Sequence, residues 1–117
     1  MRTRDMRATP GMTPTISAED SPFTLHVSKD GGQRVVEIGG ELDLATRHRV
    51  HRACLAGRRK VVVVVEMADM TFMDCSGYGG LVAARRMLQH RGGSLTLRNQ
   101  AGQPAEFLSM LAALEAS

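Results

Sequence analysis

Thr71 to Arg86 reads TFMDCSGYGGLVAARR, and the way this stretch follows Val61–Val65 decides the fold. The run of five valines is apolar throughout, as expected of a buried strand that needs cover on both faces or a central place in a sheet. Beyond it, small residues and one acid, Asp74, open a segment in which Leu81, Ala84 and Leu88 recur at i, i+3 and i+7. That is the spacing of an amphipathic helix, from about Ser76 to His90, with Arg85, Arg86, Gln89 and Arg91 suited to solvent and Gly92-Gly93 as its stop. A helix opening directly after a strand leaves backbone N–H groups free in its first turn, a favourable place for an anion or a phosphorylated side chain.

Upstream, Phe23, Leu25 and Val27 alternate with Thr24, His26 and Ser28, the pattern of a half-buried strand. Lys29-Asp30-Gly31-Gly32 supplies a hairpin turn, and Arg34–Ile38 returns as the second strand. Gly39-Gly40-Glu41-Leu42-Asp43 then leads into a helix from about Ala45 to Leu55, ended by Gly57. Leu44, Val50 and Cys54 fit one buried stripe of that helix, which makes Cys54 a small core residue. Downstream, Leu95 and Leu97 alternate with Ser94, Thr96 and Arg98 as a fourth strand. Pro104 suits the first turn of a last helix, with Phe107, Leu108, Leu111 and Leu114 on its apolar face. The expected fold is α/β: a small mixed β-sheet of about four strands in ββαβαβα order, with helices packed mainly on one face. Residues 1–21 carry no apolar periodicity and read as a disordered or loosely attached tail, leaving 22–117 as the domain.

With 117 residues the chain suits one small domain. No apolar run approaches the roughly 20 residues that span a bilayer, and the basic N-terminus lacks the apolar stretch of a secretion signal, so a cytoplasmic protein is expected. Two cysteines are too few for a disulfide scaffold and read as free thiols. The charge is uneven. Arg47, Arg49, Arg52, Arg58, Arg59 and Lys60, with His48 and His51, form a window without an acid. It reads either as a solvated helix face or as a patch that steers an acidic protein surface into place. No helix-turn-helix or zinc-finger signature accompanies these charges, and with no Trp and one Tyr, stacking on single-stranded nucleic acid has little to work with. His26, His48, His51 and His90 are scattered, with no spacing that suggests a metal, a cofactor or a nucleophile–base pair. An enzyme is not expected.

Taken together, Gly39–Thr46 (GGELDLAT), the valine strand, Phe72-Met73-Asp74-x-Ser76-Gly77-x-Gly79 and the Pro-initiated last helix resemble a STAS domain of the anti-sigma factor antagonist type, over residues 23 to about 114. The resemblance implies a non-enzymatic regulator of transcription. Such a protein captures an anti-sigma factor that is also a serine kinase, releases a sigma factor, and is switched off when the serine after the motif's Asp is phosphorylated. The resemblance places Cys75 at that phosphosite, with Ser76 a fallback hydroxyl one residue on. It assigns partner binding to Glu41, Leu42, Asp43 and Thr46 beside Asp74, Cys75, Ser76, Gly77, Tyr78 and Gly79. The family's usual last strand and helix are expected to be missing. Simpler roles stand beside these: Asp74 as a helix N-cap, Gly77 and Gly79 as points of close backbone approach, Cys75 as a serine-sized filler. An alternative function is a thiol-responsive STAS binding module in another signalling complex, since helix N-termini favour the oxidation-prone thiolate.

Overall fold

The computed structural model describes residues 23–57 and 60–116. Strands β1 (Thr24–Asp30) and β2 (Gln33–Leu42) form the expected hairpin, in register from Thr24 opposite Gly39 to Asp30 opposite Gln33. The two-residue turn has Gly31 at φ +59° and Gly32 at φ +86°. Two consecutive positive φ values give the primed turn whose twist matches that of the flanking strands. Helix α1 (Arg47–Leu55) crosses to β3 (Val62–Glu66), which pairs parallel to β2. A short strand β4 (Met70–Met73) also pairs parallel to β2, beside its last residues. Helix α2 (Cys75–His90) leads to β5 (Ser94–Arg98), parallel to β3, and helix α3 (Gly102–Ala116) ends the described chain. The order across the sheet is β1-β2-β3-β5, with β4 attached to β2.

The three helices of the described residues feed one core. Val36 and Ile38 of β2, Val63 and Val65 of β3 and Leu95 of β5 meet Val50 and Cys54 of α1 and Leu81, Ala84 and Leu88 of α2. Phe107 and Leu108 of α3 pack against the same cluster. Each fully buried aliphatic side chain contributes about 1.5–3 kcal/mol. Burial pushes the Cys54 thiol up to about 12, with Arg34 opposing the shift, so Cys54 behaves as the small core residue expected of it. Arginines secure the C-terminal end of α1. The Arg34 guanidinium donates to the carbonyls of Ala53 (3.3 Å) and Ala56, and Arg91 Nη1 donates to that of Leu55 at 3.0 Å.

Several expectations need correction. Among the described residues the sheet has five strands, in ββαββαβα order, because MTFM (Met70–Met73) is a strand too short to show a period. Gly39–Leu42 is the continuation of β2 rather than a loop: the strand's pairing with β3 ends at Glu37, its pairing with β4 begins at Gly40, and a register shift follows between Gly40 and Glu41. Helix α1 starts at Arg47 and α2 at Cys75, against the expected Ala45 and Ser76. Leu44 lies in the turn before α1 and is 63% exposed, so it belongs to no buried stripe. Leu114 is 65% exposed because the last turns of α3 run beyond the core. The proposed tail, Arg58 and Arg59 lie outside the described residues.

Two tests follow from this packing. At the end of β3, Glu66 accepts from Arg98 Nε at 2.8 Å and Asn99 Nδ2 at 2.9 Å, and these bonds, Arg98's first, hold its carboxyl below its ordinary 4.5. A depressed folded-state value means the contribution is present above the unfolded value and lost as pH falls through the folded one. Glu66→Gln should therefore flatten the acid side of the stability–pH curve below about pH 5 in urea titrations. The second test concerns Gly77, where an added Cβ would run into the carbonyl oxygen of Leu42. Gly77→Ala should cost about 1–3 kcal/mol by overpacking, despite alanine's better helix propensity. Gly79→Ala, with open space at its Cβ, should gain about 0.5–1 kcal/mol in the same thermal or denaturant assay.

Candidate functional site

Two segments brought together by the end of β2 make the candidate site. The first is the turn Glu41–Thr46, closed by its own side chains. Asp43 Oδ1 accepts from the backbone N–H groups of Ala45 (3.0 Å) and Thr46 (3.2 Å) and from the Thr46 hydroxyl (3.2 Å). The Thr46 hydroxyl shares its one proton between that carboxylate and the Glu41 carbonyl, 2.9 Å away, and the N–H of Asp43 donates to Thr46 Oγ1 at 3.0 Å. Asp and Thr three residues apart suit such a turn, because short polar side chains can bond backbone groups within reach. The carbonyl of Asp43 then takes the N–H of Arg47 at 2.9 Å, and α1 begins.

The second segment is the start of α2. Asp74 is its N-cap: Oδ1 accepts from the N–H of Gly77 at 2.8 Å, and its carbonyl accepts from that of Tyr78 at 2.9 Å. Capping is thus the role the structure gives Asp74. The segments join through the backbone. Asp74 N–H donates to the Leu42 carbonyl at 3.3 Å, and Gly77 lies against that same carbonyl. One turn on, a Cβ at Gly80 would be 3.0 Å from Arg47 Cβ, so the start of α1 also meets the second turn of α2 closely.

These contacts sort the expected site residues. Leu42 and Gly77 are buried and hold the two segments together. Tyr78 is half-buried and meets Phe107 of α3 edge to face, with ring centroids 6.3 Å apart. Glu41, Asp43, Thr46, Asp74 and Ser76 are partly exposed, and Cys75, the first residue of α2, is exposed, as is Gly79. Nothing lies within 4 Å of a Cβ built on Gly79, so packing gives no reason for a glycine there. Both cysteines are free thiols, Cys54 inside and Cys75 outside. Among the described residues no group of three His, Cys, Asp or Glu side chains is placed to hold a metal ion.

Sequence reasoning missed three contributors. Leu44 and Phe72, 63% and 38% exposed, add apolar surface; Phe72 stands opposite Glu41 in the β2–β4 register. An exposed Leu directly before a helix and a Phe in a four-residue strand look like core residues from sequence. Gln103 at the start of α3 is the third. Its Oε1 accepts from the N–H of Met73 at 2.8 Å and its Nε2 donates to the Met73 carbonyl at 3.0 Å. The residue just before the cap is thereby fixed from 30 positions away, and no local pattern signals that.

Solved structures of known proteins share the fold. The unphosphorylated form of the anti-sigma factor antagonist SpoIIAA superposes with a TM-score of 0.60 at 20% identity, over 76% of this chain and 81% of that one. An anti-sigma factor antagonist from Mycobacterium paratuberculosis gives 0.60 at 22% identity, covering 81% of both chains. The murine anion transporter Slc26a9 gives 0.60 at 16% identity over 71% of this chain. The chain spans 14% of that transporter's length, and 20% of the length of the protein Mglu, which it also resembles. At these identities the likeness is one of fold. No curated protein matches the chain. The profile of the STAS domain family matches residues 24–116, nearly the whole described chain, and the protein therefore belongs to the STAS domain family.

Proposed function

We propose that this STAS domain is a non-enzymatic anti-sigma factor antagonist of the cytoplasm, binding a kinase-type anti-sigma factor and so releasing a sigma factor for transcription. The observation that carries the reading is the exposed start of α2, where Cys75 directly follows the capping Asp74 beside the Glu41–Thr46 turn. Two solved antagonists share the fold. No helix among the described residues is long and apolar enough to cross a membrane. The partner-binding face consists of Glu41, Asp43, Thr46, Cys75 and Gly79, with the exposed Leu44 and Phe72 supplying apolar contact.

The chemistry of the switch follows from one atom. A phosphate brings about −1.5 to −2 charges into a close-packed interface and expels the partner without unfolding the domain. A serine kinase transfers phosphate to a hydroxyl, and Cys75 offers a thiol. The protein therefore stays in its binding state under conditions that would silence a serine-bearing relative. Ser76, half-buried one residue on, is the alternative acceptor.

Gly79→Trp should weaken capture of the anti-sigma partner at least tenfold, about 1.4 kcal/mol, while its circular dichroism and melting temperature stay at or above the parent's. Cys75→Asp should weaken binding through its charge, and Cys75→Ser should become a substrate for the cognate kinase, read by mass spectrometry. Unchanged partner affinity in Gly79→Trp, or stoichiometric phosphate on Ser76 in the parent, would overturn the reading.

A second reading rests on the contrast between the two thiols. Cys75 is exposed, while Cys54 is buried and raised to about 12. A thiol reagent at neutral pH should modify one cysteine of the folded protein and two after denaturation. If oxidation replaces phosphate as the off-signal, peroxide should release the partner from the parent and leave the Cys75→Ser complex intact.

A further inference from the structure

Apart from the Cys75 region, the candidate docking surface is a broad, shallow groove of about 670 Å³, widely open to solvent, between β1 and α1. Its floor is apolar: Leu25 from β1, with Ala53, Leu55 and Ala56 from the helix and the residue that follows it. Its rim is cationic or titratable: Arg49, Arg52 and His51. No carboxylate of the described residues lines it. The groove is distinct from the antagonist surface. Arg47 and Arg49 lie two residues apart, about 200° around the helix. Arg47 sits against Gly80 of α2, whereas the Arg49 guanidinium lies 4.8 Å over the ring of Phe23, just before β1. That stacking holds one rim cation in place in advance.

Two further observations favour an acidic polypeptide. A helix C-terminus ordinarily presents carbonyl oxygens that repel anions. Here Arg34 holds the carbonyls of Ala53 and Ala56 and Arg91 holds that of Leu55, so cations replace exposed carbonyls at the groove's end. Moreover, β1 pairs with β2 alone among the described residues. Its outward N–H and C=O groups are an edge to which an extended chain can add as a strand. A phosphodiester backbone would satisfy the arginines but leave the apolar floor uncovered, and among the described residues no aromatic side chain lines the groove to stack a base.

We infer that this groove docks an extended acidic segment of a partner protein, with carboxylates on Arg49 and Arg52 and an aliphatic side chain on Leu25, Ala53 and Leu55. Its main chain adds to the open edge of β1. The inference does not depend on the antagonist reading, and its test leaves Cys75 and Gly79 unchanged.

The probe is a fluorescein-labelled peptide, DEDEVLEDED, titrated into the full-length protein by anisotropy and mapped by amide chemical shifts. Saturable binding is expected, with shifts concentrated at Leu25, Arg49 and Ala53 and affinity falling as salt rises. A DEDESSEDED peptide, and separately the Arg49→Glu/Arg52→Glu protein, should each lose at least tenfold in affinity. Ala53→Glu, which places a carboxylate on the floor while keeping a helix former, should do the same with unchanged circular dichroism. Absence of saturable binding, equal affinity for both peptides, or shifts centred on α2 would overturn the proposal. So would tighter binding of a single-stranded oligonucleotide of equal charge. A synthetic peptide of residues 11–22 that displaces the probe at lower concentration would make the chain's own N-terminal segment the occupant. Self-association that the probe reverses would make it a second copy. Either result overturns the partner assignment.

Discussion

The architecture depends on one backbone contact, the approach of α2's first turn to the carbonyl of Leu42. A side chain at residue 77 would collide with that oxygen. The oxygen cannot retreat, because it belongs to a strand residue whose side chain is fully buried and it accepts the N–H of Asp74. A flexible side chain can yield a few tenths of an ångström, whereas two pieces of hydrogen-bonded main chain yield much less. The end of β2, the Glu41–Thr46 turn and the start of α2 are thus fixed relative to one another. Arg47 against Gly80 extends the same constraint to α1. A surface built this way is preorganised, which would spare any partner the ordering entropy that mobile loops lose on binding.

The glycines of this region illustrate how structure apportions meaning. Gly77 faces a carbonyl and Gly80 faces the Cβ of Arg47, so both are accounted for by packing and say nothing about function. Gly79 lies between them in sequence with open space beside it, and in mid-helix a glycine costs about 1 kcal/mol relative to alanine. An uncompensated local cost on an exposed face is the kind of inconsistency that marks a working surface. The exposed Leu44 and Phe72 are a second departure from local rules.

Much of this was legible beforehand, and what was not has physical causes. The hairpin, the valine strand and the two central helices declare themselves through period and turn chemistry, and Leu81, Ala84, Leu88, Val50 and Cys54 are buried as their spacing requires. Val63, Val64 and Val65 are buried, while Val62 is exposed at the strand's beginning. Failures concentrate where a residue's fate is set by contacts that no period reports. Met70–Met73 is a strand because the shifted end of β2 offers it a ladder, not because of its composition. Leu44 faces outward because Asp43 and Thr46 close a turn around it. The proximity of Glu41–Thr46 to Asp74–Gly79 entered through family resemblance; no spacing within the chain encodes it. Gln103 left no trace in local sequence at all.

That glutamine has a consequence for the sheet as a whole. Its primary amide presents an N–H and a carbonyl oxygen side by side, the same pair a neighbouring peptide group would offer, and that pair is committed to Met73. Helix α3 thus lends β4 the terminal rung of a ladder without lending it a strand. A foreign chain seeking to extend the sheet from Met73 finds that rung already taken, which protects this margin against templated growth in the way natural proteins shield exposed β-edges.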